Sequence, residues 1–324
     1  EIPEIWTQQV TTWRGMNADK KKASEKQTDP DRNDEYFLYQ TLVGAYPFDE
    51  REMTEFCDRI KEYVIKASRE AKVNTSWTAS NETYEQGFTD FIDALLAPDD
   101  DNSFLASLRT FQNRIRKCGT YNALSQLLIK LTAPGVPDFY QGSELWDLSL
   151  VDPDNRRPVD YAKRANALSS IKEQWQQDPA ASVRSLLENW DNGQLKLFFT
   201  MKGLATRQAF SHVFENGAYV PLSVTGIHAN KVIAFARTLA TETVITVAPR
   251  FLFGLAKDDE LPCCSPAWGD TAIHLPNADR SRWTNTLTGE SVELIETMLI
   301  GDICFTLPAA LLFSKDYRCA DALA

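Results

Sequence analysis

Apolar residues recur at helical spacing through about the first 190 residues of the chain. Phe56, Ile60 and Val64 show the four-residue steps that place side chains on one face of a helix. Pro134 interrupts this pattern, and the short stretch 135–140 that follows has strand character. The spacing predicts helices over 3–16, 34–42, 54–71, 81–96, 103–117, 121–131, 160–176, 180–190 and 194–209.

The period of the apolar positions falls toward two after Tyr219. Turn residues separate most of the short apolar runs, and Thr288-Gly289-Glu290 is the clearest of these turns. A series of short strands joined by turns is typical of an antiparallel sandwich. The predicted strands are 219–224, 231–237, 242–248, 271–274, 282–287, 292–295, 302–306 and 310–313.

Charge and composition narrow the classes of function. The formal net charge of -11 argues against a nucleic-acid-binding protein, which would be basic. No apolar run is long enough to span a bilayer, and residues 1–16 do not resemble a signal peptide. The six cysteines show no metal-ligand spacing, which favours reduced thiols. We therefore expect a cytoplasmic protein with a neutral ligand and no membrane partner.

The segment 134–160 combines residue types that neither a plain helix nor a plain strand favours. Acids, arginines and flat rings together are typical of a site that binds a polyhydroxyl ligand. The same residues also suit a structural turn, because Asp and Asn side chains bond to nearby backbone N–H groups. Residue types alone leave both interpretations open. The residues concerned are Asp138, Tyr140, Gln141, Glu144, Trp146, Asp147, Asp152, Asp154, Asn155, Arg156 and Arg157.

A second polar cluster spans 66–77, with the sequence KASREAKVNTSW. One interpretation is a solvated helix end, with lysines near the negative end of the helix dipole. The other is a sugar-facing ledge on which Trp77 stacks against a pyranose ring. The residues that would form this ledge are Lys66, Arg69, Lys72, Ser76 and Trp77.

The chain offers carboxylates rather than histidines for chemistry. All three histidines lie at or beyond the junction between the helical and strand parts, and neither a GxGxxG motif nor a P-loop occurs. Nucleotide binding and a zinc site therefore lack a motif. Paired carboxylates suit glycosyl transfer, in which one acid is the nucleophile and another the general acid and base.

Four passages resemble the maltooligosyl trehalose synthase family of the α-amylase superfamily (glycoside hydrolase family 13). The most specific is PGVPDFYQGSELWDLSLVDPDNRRPVD at 134–160, which is similar to the last barrel strand and its loop. The others are YQTLVGAYPF at 39–48, KASREAKVNTSW at 66–77 and GAYVPLSVTGIHANKVIAFAR at 217–237. They occur in the order expected for the family.

The resemblance implies an α+β multidomain fold. Residues 1–100 would form a helical insertion, and 101–190 the C-terminal end of a (β/α)8 barrel with a loop at the substrate rim. Residues 191–324 would form a connecting helix and an antiparallel β-sandwich. The barrel would be incomplete, because this chain holds only its last strand and helix.

The resemblance also implies an activity. The family converts the reducing-end α-1,4 linkage of a maltooligosaccharide to an α,α-1,1 linkage, without a cofactor or metal. Its catalytic acids lie on motifs that end in a His-Asp-Thr-Lys-type segment, and none of these motifs occurs here. We therefore assign no catalytic residue, and expect the chain to need the N-terminal barrel portion as its partner and to be inactive alone.

The site residues follow from the same resemblance. Asp138, Tyr140, Gln141, Glu144, Asp152, Asn155, Arg156 and Arg157 would shape the substrate cleft, and Lys66, Arg69, Lys72, Ser76 and Trp77 would form an opposing wall. Two alternatives remain open: a carbohydrate-binding or structural module without chemistry, and another hydrolase of the amylase superfamily.

Overall fold

The computed structural model describes residues 1–23, 28–99, 101–255, 265–275, 281–294 and 296–315. Helices dominate the described chain up to residue 216, and antiparallel strands with short helices follow. The predicted combination of a helical first part and an antiparallel second part is therefore confirmed.

The chain divides into two compact units. Unit 1 comprises Glu1–Ile115 and Leu148–Pro158, and unit 2 comprises Arg116–Asp147 and Val159–Ala324. The segment 134–160 is therefore shared, with its middle part in unit 1 and its two ends in unit 2.

Unit 1 is built from helices. They are α1 (Pro3–Met16), α2 (Arg32–Ala45), α3 (Met53–Ala71), α4 (Glu82–Leu96) and α5 (Ser103–Thr132), the last of which continues into unit 2. A two-stranded ladder, β1 (Lys22–Ala23) and β2 (Thr28–Asp29), precedes α2. The Asp31 carboxylate caps α2, because its Oδ1 accepts the N–H groups of Asn33 and Asp34 at 2.9 Å each.

Aromatic rings fill the core of unit 1. Trp13 is fully buried, and its ring meets those of Trp6 and Phe111 edge-on at centroid distances of 5.9 and 5.6 Å. Such pairs add about 0.5–1.5 kcal/mol each to the effect of burial. The indole N–H of Trp13 donates to Ser107 Oγ at 3.0 Å, so the burial of this polar group is compensated.

The helices of unit 2 precede and interrupt its strands. They are α6 (Tyr161–Gln177), α7 (Pro179–Glu188), α8 (Gln194–Ala209), α9 (Ser211–Asn216), α10 (Ser265–Trp268) and α11 (Ile300–Ile303). Asp160 and Asp178 cap α6 and α7 by accepting backbone N–H groups at 2.8 and 3.1 Å. No helix in the described ranges is long and apolar enough to cross a membrane.

Two antiparallel sheets form the rest of unit 2. Their strands are β3 (Ala218–Pro221), β4 (Ser223–Thr225), β5 (Val232–Leu239), β6 (Glu242–Pro249), β7 (Ala272–His274), β8 (Ser281–Asn285), β9 (Ser291–Leu294), β10 (Thr297–Leu299) and β11 (Ala310–Ser314). The larger sheet has the order β3-β5-β6-β11-β8-β9, and the smaller has the order β10-β7-β4. The turn at 288–290 joins β8 to β9, with Gly289 at a φ of +78°.

The structure differs from the sequence prediction at several places, and three of them have a clear physical reason. Residues 103–131 form one helix rather than two, since Gly119 weakens a helix without ending it. The predicted strand 302–306 begins inside α11, where Ile300 and Ile303 are buried at helical spacing. The stretch 135–140 is not a strand, because no described strand lies beside it to form a ladder.

Candidate functional site

The loop Leu148–Pro158 in unit 1 is organised around the carboxylate of Asp154. Arg59 on α3 donates to Asp154 through Nε and Nη2, both at 2.9 Å, and Nη2 also donates to the carbonyl of Leu148 at 2.8 Å. The N–H of Leu150 donates to Asp154 Oδ2 at 2.6 Å. The Arg59 and Asp154 side chains are only 11% and 8% exposed. Charge-assisted hydrogen bonds therefore fix this loop on α3.

The charge state of Asp154 follows from these contacts. Burial alone would raise the pKa of this carboxyl, but the hydrogen bonds from Arg59 and from the N–H of Leu150 outweigh it and hold the pKa below its ordinary value. Asp154 is therefore an anion at neutral pH. This charge state suits a structural anchor and does not suit a proton donor.

The other polar residues of this loop differ in how strongly they are engaged. Arg157 pairs with Glu55 on α3, and its Nε lies 3.1 Å from Asp154 Oδ1. Arg156 pairs with Asp152, but these side chains remain 69% and 39% exposed. The Asn155 Oδ1 atom is buried and has no hydrogen-bond partner in the part of the chain that the structure describes, so a ligand cannot reach it in this conformation. Asp152 and Arg156 are therefore the residues of this loop best able to contact a ligand.

The C-terminal end of α3 carries the second predicted group of residues. Lys66 pairs with Glu70 one turn later, with Nζ and Oε1 3.2 Å apart. Lys72 ends the helix in the left-handed region, at a φ of +59°, and its N–H donates to the Ser68 carbonyl at 3.2 Å. Ser76 Oγ accepts the N–H of Ala79 at 3.0 Å and closes a turn. These contacts give the three predicted residues local structural roles.

Arg69 has the most specific contacts in this group. Its Nε and Nη2 donate to the two carboxylate oxygens of Glu85 at 2.7 and 2.6 Å. Thr75 Oγ1 also donates to Glu85 Oε1 at 2.6 Å. The Arg69 guanidinium lies over the Trp77 ring, 5.0 Å from its centroid, and Trp77 is 59% exposed. Hydrogen bonds from Arg69, which exceed the opposing effect of burial, lower the pKa of Glu85.

The loop between α3 and α4 is also attached to α2. Asn74 Nδ2 donates to Asp31 Oδ2 at 2.7 Å and to the Tyr84 hydroxyl at 2.9 Å. The Tyr84 hydroxyl in turn donates to Asp34 Oδ2. The loop that presents Trp77 is therefore held by side chains of two helices.

The two groups of unit 1 residues lie at different parts of α3. Glu55 and Arg59 hold the loop 148–158 near the N-terminal end, whereas Arg69 belongs to the C-terminal end. Arg69 lies ten positions after Arg59, which is about 15 Å along the helix axis at the usual helical rise. The structure therefore does not bring the Arg156 and Trp77 neighbourhoods together along this helix.

Arg164 on α6 binds the part of the segment 134–160 that belongs to unit 2. Arg164 donates through Nε to Glu144 Oε2 at 2.7 Å and through Nη2 to the Gly142 carbonyl at 2.6 Å. Gly142 has a φ of +89°, which lets the chain turn there. The Glu144 carboxylate is therefore already bound by an internal cation.

Two lysines hold the flanks of the same part. Lys130 Nζ donates to the Asp138 carbonyl at 2.9 Å and lies 3.8 Å from the centroid of the Phe139 ring. Lys196 Nζ donates to the Leu145 carbonyl at 3.0 Å, and burial lowers its pKa. Because Lys130 contacts only the backbone carbonyl of Asp138, the Asp138 carboxylate takes no part in this contact.

Three residues of the segment 134–160 that belong to unit 2 are exposed and have few internal contacts. Tyr140 is 49% exposed, and Asp138 and Gln141 are also exposed. Within the described residues, Gln141 has one weak contact, from the Tyr161 hydroxyl at 3.4 Å. Asp138, Tyr140 and Gln141 can therefore offer a carboxylate, a ring and an amide to a ligand.

Sequence reasoning missed the cations and acid that organise these groups. Arg59, Arg164 and Glu85 contact partners 95, 20 and 16 positions away in the chain. One signal was present: Glu85 lies on the apolar face of α4 with Phe88 and Ile92, and a buried acid needs a partner. The other two pairings carry no local signal.

Two histidines contact residues outside these groups. His274 contacts Thr225 and Thr297 at 2.7 and 3.1 Å, and His212 contacts Glu242, all in unit 2. In the part of the chain that the structure describes, no cluster of three or more His, Cys, Asp or Glu side chains could hold a metal ion.

Several known proteins similar to this chain are named as maltooligosyl trehalose synthases. No protein-family model matches the chain. A Mycobacterium tuberculosis protein that carries the provisional name maltooligosyl trehalose synthase is 32% identical over 260 residues, which is 80% of this chain and 29% of that protein. The structure of maltooligosyltrehalose synthase from Arthrobacter ramosus matches 96% of this chain and 35% of its own, with a TM-score of 0.74 and 28% identity. A crystal structure of a Sulfolobus tokodaii protein described as a hypothetical maltooligosyl trehalose synthase gives a TM-score of 0.66 at 27% identity. The chain therefore spans about a third or less of the length of these relatives.

Proposed function

The chain is a homologue of the maltooligosyl trehalose synthases, and from this premise we propose that it forms part of an intramolecular glucosyltransferase. The whole enzyme would convert the reducing-end α-1,4 linkage of a maltooligosaccharide to α,α-1,1, and so contribute to trehalose formation. The observation that carries this proposal is the 32% identity over 80% of the chain. Such an enzyme needs no cofactor, and we place it in the cytoplasm.

The contribution of this chain would be to hold substrate. Sugars are bound by a few polar groups together with flat apolar rings. Asp138, Tyr140, Gln141 and Arg156 provide such groups and remain exposed after the internal pairs have formed. Glu144 and Arg157 would support the cleft instead, since each is bound to an internal partner.

We also propose that the stretch 135–140 is the last strand of a barrel whose other strands lie outside this chain. Apart from the turn in which the N–H of Ser143 donates to the Tyr140 carbonyl, no backbone–backbone hydrogen bond joins these residues to another described part of the chain, and Val136 is 92% exposed. Backbone that is unpaired in this way is a template for another strand. On this division, residues 1–100 are a helical insertion, 101–190 the end of the barrel, and 191–324 a connecting helix and a β-sandwich.

The proposed partner is the upstream barrel portion with the catalytic acids, so the chain alone would be inactive. The test is a chimaera in which residues 1–324 replace the matching part of the Arthrobacter ramosus synthase. We expect maltopentaose to lose reducing ends without release of glucose, and the isolated chain to give no turnover. A folded, monodisperse chimaera that binds maltopentaose but only hydrolyses it would overturn the proposed reaction. Turnover by the isolated chain would contradict the absence of catalytic acids.

A carbohydrate-binding module without chemistry is a second candidate, favoured by one observation on the larger sheet. Tyr219 on β3 is 45% exposed and stacks on Phe235 at a centroid distance of 5.0 Å. Such a ring can receive a sugar. Loss of maltopentaose binding in Tyr219→Ala, together with unchanged binding in Tyr140→Ala, would favour this candidate.

A further inference from the structure

The contact between Arg69 and Glu85 fixes a cation beside an exposed ring. Two of the three guanidinium nitrogens of Arg69 are bound to Glu85, which is 8% exposed. The third, Nη1, has no hydrogen-bond partner among the described residues. A bidentate pair of this kind fixes the guanidinium plane, so the direction of the remaining N–H groups is also fixed.

Trp77 is presented by an ordered loop. Thr75 Oγ1 donates to Glu85 and accepts the N–H of Asn81 at 3.0 Å, while Ser76 closes its turn on Ala79. Glu85 therefore holds both Arg69 and Thr75, which lies two positions before Trp77. The indole ring remains 59% exposed although its loop has these anchors. A flat ring held at the surface in this way presents an apolar face on which a ligand can stack.

We propose that Glu85 is the positioning residue of an α-glucosyl-binding platform formed by the Trp77 ring and Nη1 of Arg69. The apolar face of a glucosyl unit stacks on the indole, and a sugar hydroxyl oxygen accepts the Nη1–H. The chain's net charge of -11 suits this neutral ligand better than an anion. The inference rests on the proposed function, because the homology supplies the α-glucan as the ligand class.

The role of Glu85 follows from the flexibility of an arginine side chain. A free arginine loses rotamer entropy when a ligand fixes it. Glu85 removes most of that loss before the ligand arrives, which is the usual effect of preorganisation. Removing the charge of Glu85 leaves Arg69 and Trp77 in the chain but frees them to move. Binding should therefore weaken without being abolished.

The experiment uses the full chain labelled with 15N-tryptophan. Trp77→Phe assigns the indole N–H signal of Trp77, and maltopentaose is titrated while that signal is followed. In Glu85→Gln we expect the signal to move in the absence of sugar, and maltopentaose affinity to fall about tenfold, which corresponds to about 1.4 kcal/mol. The matched control is Glu82→Gln, which removes an exposed acid of the same helical turn and should change neither.

Each outcome bears on the platform separately from the reaction. If maltopentaose binds but leaves the Trp77 signal unmoved, or if Glu85→Gln binds it as tightly as the wild type, the platform is refuted while the proposed reaction stands. If the wild-type chain binds no maltopentaose although the chimaera rearranges it, the platform alone is again refuted. A chimaera that folds and binds sugar but only hydrolyses it refutes the proposed reaction without affecting the platform.

Discussion

Replacement of Asp154 by Asn tests whether the loop 148–158 is held by a buried ion pair. The substitution keeps the size of the side chain but removes its charge. Arg59, whose side chain is 11% exposed, then lacks a counter-charge for its cation. The Asn side chain can accept only through its one oxygen, whereas the two Asp154 carboxylate oxygens accept from Arg59 and from the N–H of Leu150.

The expected loss is large because both partners are shielded from water. Removing one partner of a buried pair costs about 3–5 kcal/mol, and an exposed pair contributes about 0–1 kcal/mol. Asn retains one acceptor, so we expect the lower end, about 3 kcal/mol. The matched control is Asp152→Asn in the same loop, where the side chains of the pair are 39% and 69% exposed. We expect this control to cost less than about 1 kcal/mol.

Hydrogen exchange at the Leu150 amide is the direct measurement, because this N–H donates to Asp154 at 2.6 Å. A loss of about 3 kcal/mol lowers protection by about a hundredfold, at tenfold for each 1.4 kcal/mol. Urea unfolding followed by tryptophan fluorescence gives the global effect. If Asp154→Asn changes exchange at Leu150 and the urea midpoint no more than Asp152→Asn does, the loop does not depend on this ion pair.

Three further predictions concern stability. The folded-state pKa of Asp154 is lowered, so its contribution to the free energy of unfolding is present above the unfolded pKa of about 4 and is lost as the pH falls below it. Because the pKa of Glu85 is lowered too, acid should destabilise both proteins, and the urea midpoint of the wild type should fall by more than that of Asp154→Asn. Gly193→Ala should lower the free energy of unfolding by at least about 2 kcal/mol in the same assay, because Gly193 has a φ of +81° and a Cβ there would lie 2.8 Å from the Trp146 backbone nitrogen. The control is Gly119→Ala, where a Cβ meets nothing within 4 Å, and it should not destabilise the protein. Trp13→Ala should lower the free energy of unfolding by about 3–5 kcal/mol, and equal midpoints would contradict its place in the core.

The helices were predictable where local signals agree. Pro3–Met16 and Gln194–Ala209 have the bounds that the periodicity predicts. The helical turn that overlaps 302–306 was not predictable, because Ile300 and Ile303, two apolar residues three positions apart, fit a helical turn as well as a short strand. The candidate site shows the same limit at a larger scale. Its residue types are visible in the sequence, but the partner of Asp154 lies 95 positions away, and only tertiary packing brings the two together.

The residues that made 134–160 resemble a site have two different roles in the structure. Glu144 and Asp154 are each bound by an arginine from outside the segment, so the structural interpretation holds for them. Tyr140, Gln141 and Arg156 remain exposed, and the ligand interpretation rests on such residues. The two roles can be separated by experiment, because exposed side chains with weak contacts change stability by less than about 0.5 kcal/mol when replaced. A loss of sugar binding at these positions would therefore report on the ligand rather than on the fold.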